Sequence, residues 1–171
     1  MKESYIRETL AVKVSHVFPP DTNNHGTLFG GKLMSYIDDI ASISAMRHSR
    51  SPVVTASTDS VDFLAPIGTE ESVCIESFVT WTGTSSMEIF VKVLAENLIT
   101  GERTIAATAF LTFVAIDDNG KPVPVPKVIP QTEEEKYLHE TARSRVEERK
   151  KRKKASKELA GFIHKGKPWE T

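Results

Sequence analysis

Only one cysteine, Cys74, occurs among the 171 residues. No internal disulfide can form from it, and a thiolate metal cluster is out of reach. No apolar run approaches the roughly 20 residues that span a bilayer. The lead Met1-Lys2-Glu3-Ser4-Tyr5 lacks the apolar core of a signal peptide. Together these give the expectation of a reducing, cytoplasmic setting. A Walker-type phosphate loop, a Rossmann fingerprint, zinc-ligand spacing and a nucleophile elbow are all missing, which sets aside the chemistries they serve. Net charge is nearly absent, at −1 from 22 basic and 23 acidic residues. That sum hides a local asymmetry: Glu133 to Glu135 is acidic and Arg149 to Lys154 is an unbroken cationic run. What is present is an ordinary globular composition, 39% apolar and 26% charged, at a length suited to one domain.

Residues Thr9 to Val17 alternate loosely and read as a first strand, ended by Phe18-Pro19-Pro20 because proline cannot donate to a ladder. Asp21 to Gly31 is a loop rich in turn residues. From Lys32 to about His48 the period becomes helical, and Leu33, Ile37, Ile40, Ala41 and Ser44 fall within one arc at about 100° per residue. The small residues Ala41, Ser42, Ser44 and Ala45 would let a sheet come close to this helix. Four extended segments follow: Val53 to Leu64, Ser72 to Trp81, Ser86 to Glu96 and Arg103 to Ile116. The last is apolar on both faces, as a middle strand is, and the short turns joining the last three predict an antiparallel meander. Lys121 to Pro126 carries alternating prolines and reads as an extended surface segment. Thr132 and Glu135 form a capping box opening a charged helix to about Leu159. Its thin apolar stripe of Leu138, Ala142 and Val146 predicts a largely exposed appendage, followed by a flexible end.

The loop Asp21–Gly31 and the helix after it hold the chemistry-bearing candidates. Gly30 and Gly31 would allow a ligand to approach free backbone N–H groups at a helix start, where a developing oxyanion is stabilised; a turn needing glycine for its dihedrals explains them equally. Asp38 falls at the edge of the apolar stripe. A carboxylate there is either a hydrogen-bonded structural group or a general base or nucleophile. Asp39 lies a further 100° or so round, on a solvated or interface face. His25 has no evident orienting partner, and His48 sits at a helix C-terminus that favours cations anyway. The run Lys150-Lys151-Arg152-Lys153-Lys154 fits a solvated helix end, a nucleotide-phosphate contact or non-specific nucleic-acid binding. The absence of interleaved aromatics weakens the last.

Several segments, in this order, resemble the cytosolic acyl-CoA hydrolases, a family of bacterial short-to-medium-chain thioesterases and the vertebrate brain-type enzyme. They are Asp21-Thr22-Asn23, Gly30-Gly31, Ile37-Asp38, Val54-Thr55-Ala56-Ser57-Thr58-Asp59, Gly83-Thr84-Ser85-Ser86-Met87-Glu88 and Gly120-Lys121-Pro122-Val123-Pro124-Val125-Pro126. The resemblance covers about residues 8–145. It implies an α+β hotdog fold, a five-stranded antiparallel sheet wrapped around one long central helix, as a domain over 8–126. A charged C-terminal helix and flexible tail would occupy 127–171. It implies a homodimer with a continuous sheet, commonly built into a homohexamer, with active sites at the dimer interface.

By the same resemblance Asp38 is the catalytic aspartate, Asn23 the catalytic asparagine given by the partner subunit, and Gly31 the helix-start glycine facing the thioester carbonyl. Coenzyme A contacts are expected at Thr55, Ala56 and Ser57, at Gly83, Thr84, Ser85 and Ser86, and at Arg103 and Lys121. No cofactor is implied beyond the CoA carried by substrate and product, and no nucleic acid or membrane span. The expected activity is hydrolysis of fatty acyl-CoA. The rivals are a hotdog hydratase or dehydratase, which needs a His paired with a carboxylate, and a non-hydrolytic acyl-CoA sensor.

Overall fold

The computed structural model describes residues 3–167 and Trp169. Met1 and Lys2 of the polar lead, and Pro168, Glu170 and Thr171 of the terminal segment expected to be flexible, lie outside the described residues. In chain order the elements are β1 (Ser4–Tyr5), β2 (Ala11–His16), α1 (Gly30–Ser49), β3 (Val53–Phe63), β4 (Glu71–Thr82), β5 (Ser86–Asn97), β6 (Arg103–Ala115), β7 (Val128–Ile129) and α2 (Glu133–Phe162). β2, β4, β5, β6 and β3 pair antiparallel in that spatial order. α1 lies across one face, completing the hotdog arrangement.

The core follows from the alternation read in the strands. Val73, Ile75, Ser77 and Val79 of β4 and Met87, Ile89, Val91, Val93 and Ala95 of β5 are all buried. Each strand therefore turns one side chain in two toward α1. α1 meets them with Leu33, Ile37, Ile40, Ala41, Ser44, Ala45 and His48. Its small residues permit close contact: Ser44 Oγ donates to the Ser77 carbonyl at 2.9 Å, and Ser77 Oγ donates to the Ile40 carbonyl at 3.0 Å. Helix and sheet are thus joined by buried hydroxyls that have partners. β6 lies between β5 and β3, the interior place its apolar faces predict.

Three expectations change. The first strand begins at Ala11, because Ile6–Thr9 forms a 3₁₀ turn. Thr9 is buried there, and its hydroxyl accepts the Val79 N–H at 2.9 Å beside the β4 bulge between Val79 and Trp81. The proline segment is not wholly superficial: Val125 is fully buried, and its N–H donates to the Thr84 carbonyl at 2.9 Å. The largest change concerns α2. Its N-terminal capping box forms as expected, yet its first half packs on the outer sheet face instead of standing free. Leu138, Ala142 and Val146 are buried. Arg145 grips the fully buried Glu88 of β5, with Nη2–Oε1 at 2.8 Å, and its guanidinium lies 4.2 Å from the Phe110 ring centre. Arg149 reaches Asp59 of β3 at 3.1 Å, and Arg152 pairs with the same carboxylate.

Candidate active site

α1 starts immediately after Phe29, which is extended and makes no side-chain capping bond. The first amides of the helix therefore lack a capping partner, and the positive end of its dipole is open. Gly30 lines a cavity of about 370 Å³ with Asn23, Thr27, Leu33 and the segment Phe63 to Ile67. Asn23 is held there firmly. Its Oδ1 accepts the His25 N–H at 2.9 Å, and its Nδ2 donates to Thr27 Oγ1 at 3.0 Å. One Nδ2 hydrogen remains available. Gly31 is also at the helix start but does not line the cavity. A Cβ there would lie 2.6 Å from a ring carbon of Phe29, so glycine allows the aromatic ring to fold over the first turn.

Asp38 lies seven residues after Gly31, about 10 Å along the helix axis. Its carboxylate is exposed and accepts a hydrogen bond from Thr55 Oγ1 of β3 at 2.9 Å. Asp38 flanks the buried stripe of Leu33, Ile37, Ile40 and Ala41 from an exposed position. In the single chain this flank of α1 is uncovered: neighbouring Met34 is 46% exposed, so Asp38 is not buried. Asp39 is a surface residue paired with Lys13 at 3.6 Å. The chain thus carries two separated groups. One is Asn23 beside the open helix start; the other is the Asp38–Thr55 pair.

A second cavity of about 430 Å³ lies between the outer sheet face and the second half of α2. Ala56, Ser57 and Ser86 line it. Gly83 belongs to the adjoining turn, where an added Cβ would meet Ser86 Oγ at 2.6 Å. Thr84 and Ser85 serve structure there, their carbonyls accepting from Val125 and Ala115 at 2.9 Å each. Burial alone would push the Asp59 carboxyl up. Hydrogen bonds from Ser57 and Thr112, with the Arg149 guanidinium, outweigh that and hold it below the usual range.

A family model described as the thioesterase superfamily matches residues 25–102. The uncharacterized acyl-CoA thioester hydrolase YkhA of Bacillus subtilis (strain 168) is 67% identical over 165 residues, 96% of either chain. The chain belongs to the thioesterase superfamily. Among solved structures, an apo-hexameric acyl-CoA thioesterase matches at TM-score 0.87 and 52% identity, over 89% of this chain and 97% of that one. An acyl-CoA hydrolase from Staphylococcus aureus, in complex with butyryl-CoA, CoA and CoA disulfide, matches at TM-score 0.91 and 46% identity, over 94% and 98%.

Set on this thioesterase, the predicted site residues divide. Asn23 and the helix start share a cavity, and Ala56, Ser57 and Ser86 share the other. Arg103 and Lys121 line neither cavity. Arg103 is paired with Glu96 at 3.5 Å and Glu76 at 3.8 Å, and Lys121 closes an exposed turn through its N–H to Asp117 at 2.8 Å. Their alternation and turn signals carried no information about which end of the sheet they occupy. Thr55, also expected at CoA, donates its hydroxyl hydrogen bond to Asp38. Of the histidines, His25 is exposed with no carboxylate against its ring among the described residues, and His48 is buried with Nε2 at 2.9 Å from the Pro126 carbonyl. Among the described residues neither ring is hydrogen-bonded to a carboxylate, as the His–carboxylate pair of a hydratase would be.

Proposed function

We propose that this thioesterase hydrolyses fatty acyl-CoA to free fatty acid and CoA at sites shared by two copies of the chain. The observation that carries the reading is the division of the chain into two half-sites. Asn23 and the uncapped start of α1 lie at one place, and Asp38 with Thr55 lies about 10 Å further along the helix. A two-fold pairing of copies would set one half against the other, as isologous interfaces do. The α1 amides would then polarise the thioester carbonyl and stabilise its oxyanion. Asp38, oriented by Thr55, would draw the proton from an attacking water or attack the carbonyl itself, and Asn23 would orient the water or intermediate. Thiolate leaves and takes up a proton as CoA.

The similarity to a hexameric acyl-CoA thioesterase supports three such pairs per assembly. The lone, buried Cys74 suits a reducing, cytoplasmic setting. Asp38→Asn, assayed by thiol release from acyl-CoA, should lower kcat about 10²–10⁴-fold, the range of a lost acid–base group. Because Asp38 is exposed in the chain, folding and oligomer state should persist. An active variant would sink the assignment. Oxygen-18 entering Asp38 during single turnover in labelled water would mark direct attack, and its absence would mark a general base.

A further inference from the structure

α2 changes character after Val146. Up to that residue one stripe, Leu138, Ala142 and Val146, is buried against the sheet. From Lys150 onward every described residue is exposed. Apolar side chains nevertheless return in the last turns. At about 100° per residue, Ala155, Leu159 and Phe162 fall within an arc of about 60° on the side of the helix opposite Val146. They are turned away from the stripe by which the first half docks. Phe162 is 89% exposed and Leu159 60%, and Ile163 at the helix end and Trp169 beyond it are exposed as well.

The surroundings of this outward stripe are cationic. Between residues 149 and 167 nine lysines and arginines stand against one acidic residue, Glu158. Arg149 and Arg152 are neutralised by Asp59, and Lys154 lies 4.0 Å from Glu158. Lys151, Lys157 and Lys165 have no carboxylate partner among the described residues. Lys151 falls about 20° from Phe162 on the helix, so an unpaired cation and an aromatic ring share one face. An anionic lipid surface complements both features at once. Its phosphates attract lysine, and the layer beneath the headgroups takes leucine and phenylalanine side chains. A second copy of this helix end suits the stripe less, because two ends of such charge repel. A nucleic acid would match the lysines but leaves Ala155 and Leu159 without apolar cover. No helix among the described residues is long and apolar enough to cross a membrane, so the contact is with the surface of the bilayer.

We infer that the end of α2 docks on anionic phospholipid surfaces, its last turns lying in the headgroup plane with Leu159 and Phe162 inserted and Lys151 and Lys154 at the lipid phosphates. Docking uses none of the groups assigned to hydrolysis. Fatty acyl-CoA is itself an amphiphile that partitions into bilayers, so the contact would hold the chain where such thioesters collect.

Vesicle flotation of the full chain tests this, with wild type beside Leu159→Ser/Phe162→Ser and Lys151→Glu/Lys154→Glu. The wild type should float with vesicles of equal parts phosphatidylglycerol and phosphatidylcholine, and not with pure phosphatidylcholine. Salt at about 1 M should release it, because screening then acts within about 3 Å. Each double variant should bind the anionic vesicles about tenfold or more weakly. All four side chains are exposed, so helix content by circular dichroism, oligomer mass and thiol release without vesicles should stay at wild-type levels. A wild type left unbound by the anionic vesicles at about 0.1 M salt overturns the assignment. So does a serine variant that binds them as well as the wild type. A smaller oligomer mass in the serine variant would give the stripe to a second copy, and duplex DNA binding lost in that variant would give it to nucleic acid; either result also overturns the docking. A wild type that floats with the anionic vesicles yet releases no thiol from acyl-CoA would reject the hydrolase reading and keep the docking.

Discussion

A hydroxyl that donates to an exposed carboxylate, as Thr55 does to Asp38, adds little to folding and much to orientation. Thr55→Val should therefore lower kcat about tenfold or more while KM and melting temperature move little, a split read by steady-state kinetics beside thermal melts. The opposite pattern, a large loss of stability with kcat intact, would make the bond structural. At this scale the sequence was partly informative. Asp38 stood out as a carboxylate against a stripe of small and apolar residues, and Asn23 as a side chain in a turn-rich loop before a helix. The partnership of Thr55 was hidden, because the bulge that sends Thr55 and Ser57 to opposite faces carries no glycine or other compositional mark. Arg103 and Lys121 show the converse. Their residue types suit a phosphate, yet the Arg103 guanidinium is paired with Glu76 and Glu96, and Lys121 stands on an exposed turn closed by its backbone N–H to Asp117.

Elements were legible where periodicity is local. The β4–β5–β6 meander and the buried face of α1 follow from alternation, helical spacing and the turns between them. α2 was legible as a helix but not as a docked one. Its stripe is thin, and much of its attachment is ionic, to Glu88 and Asp59 on strands far away in sequence. Two carboxylates among the apolar and hydroxyl residues of strands were the available signal, since such groups are rarely buried without partners.

Asp59 makes the attachment sensitive to acid. With its folded pKa held below the ordinary value of about 3.9, it contributes stability that is present above that value and lost as pH falls through the folded one. Thermal melts between about pH 2 and 6 should show the wild type losing stability in the lower part of this window. Asp59→Asn should start less stable near neutrality and fall by less. A variant that tracks the wild-type curve across the acid range would remove Asp59 from that role.

For the whole molecule, the divided half-sites predict complementation. Asn23→Ala and Asp38→Asn homo-oligomers should each be nearly inactive. In a mixed pair one shared site carries both substitutions and the other carries neither. With random pairing half the pairs are mixed, so co-refolding equal amounts should restore about a quarter of wild-type activity by thiol release. No recovery, with mixed oligomers verified by mass spectrometry, would place the complete site within one chain. Assembly of this kind is the level least visible in one sequence. The exposed flank of α1 at Met34 and Asp38 resembles any surface until a second copy is set against it.

The clasp between Arg149 and Asp59 joins residues 90 positions apart in the chain. Contacts so distant must wait for closure of a long loop, whereas the meander needs only neighbours. On a ribosome the sheet can therefore assemble while α2 is still being made, and the cleft beneath α2 is the last feature to be completed. A chain interrupted before Arg149 would retain its central helix and sheet but lack the roof of the cleft. The clasp to Asp59 would then report that synthesis had reached Arg149, in a way that the presence of the sheet alone does not.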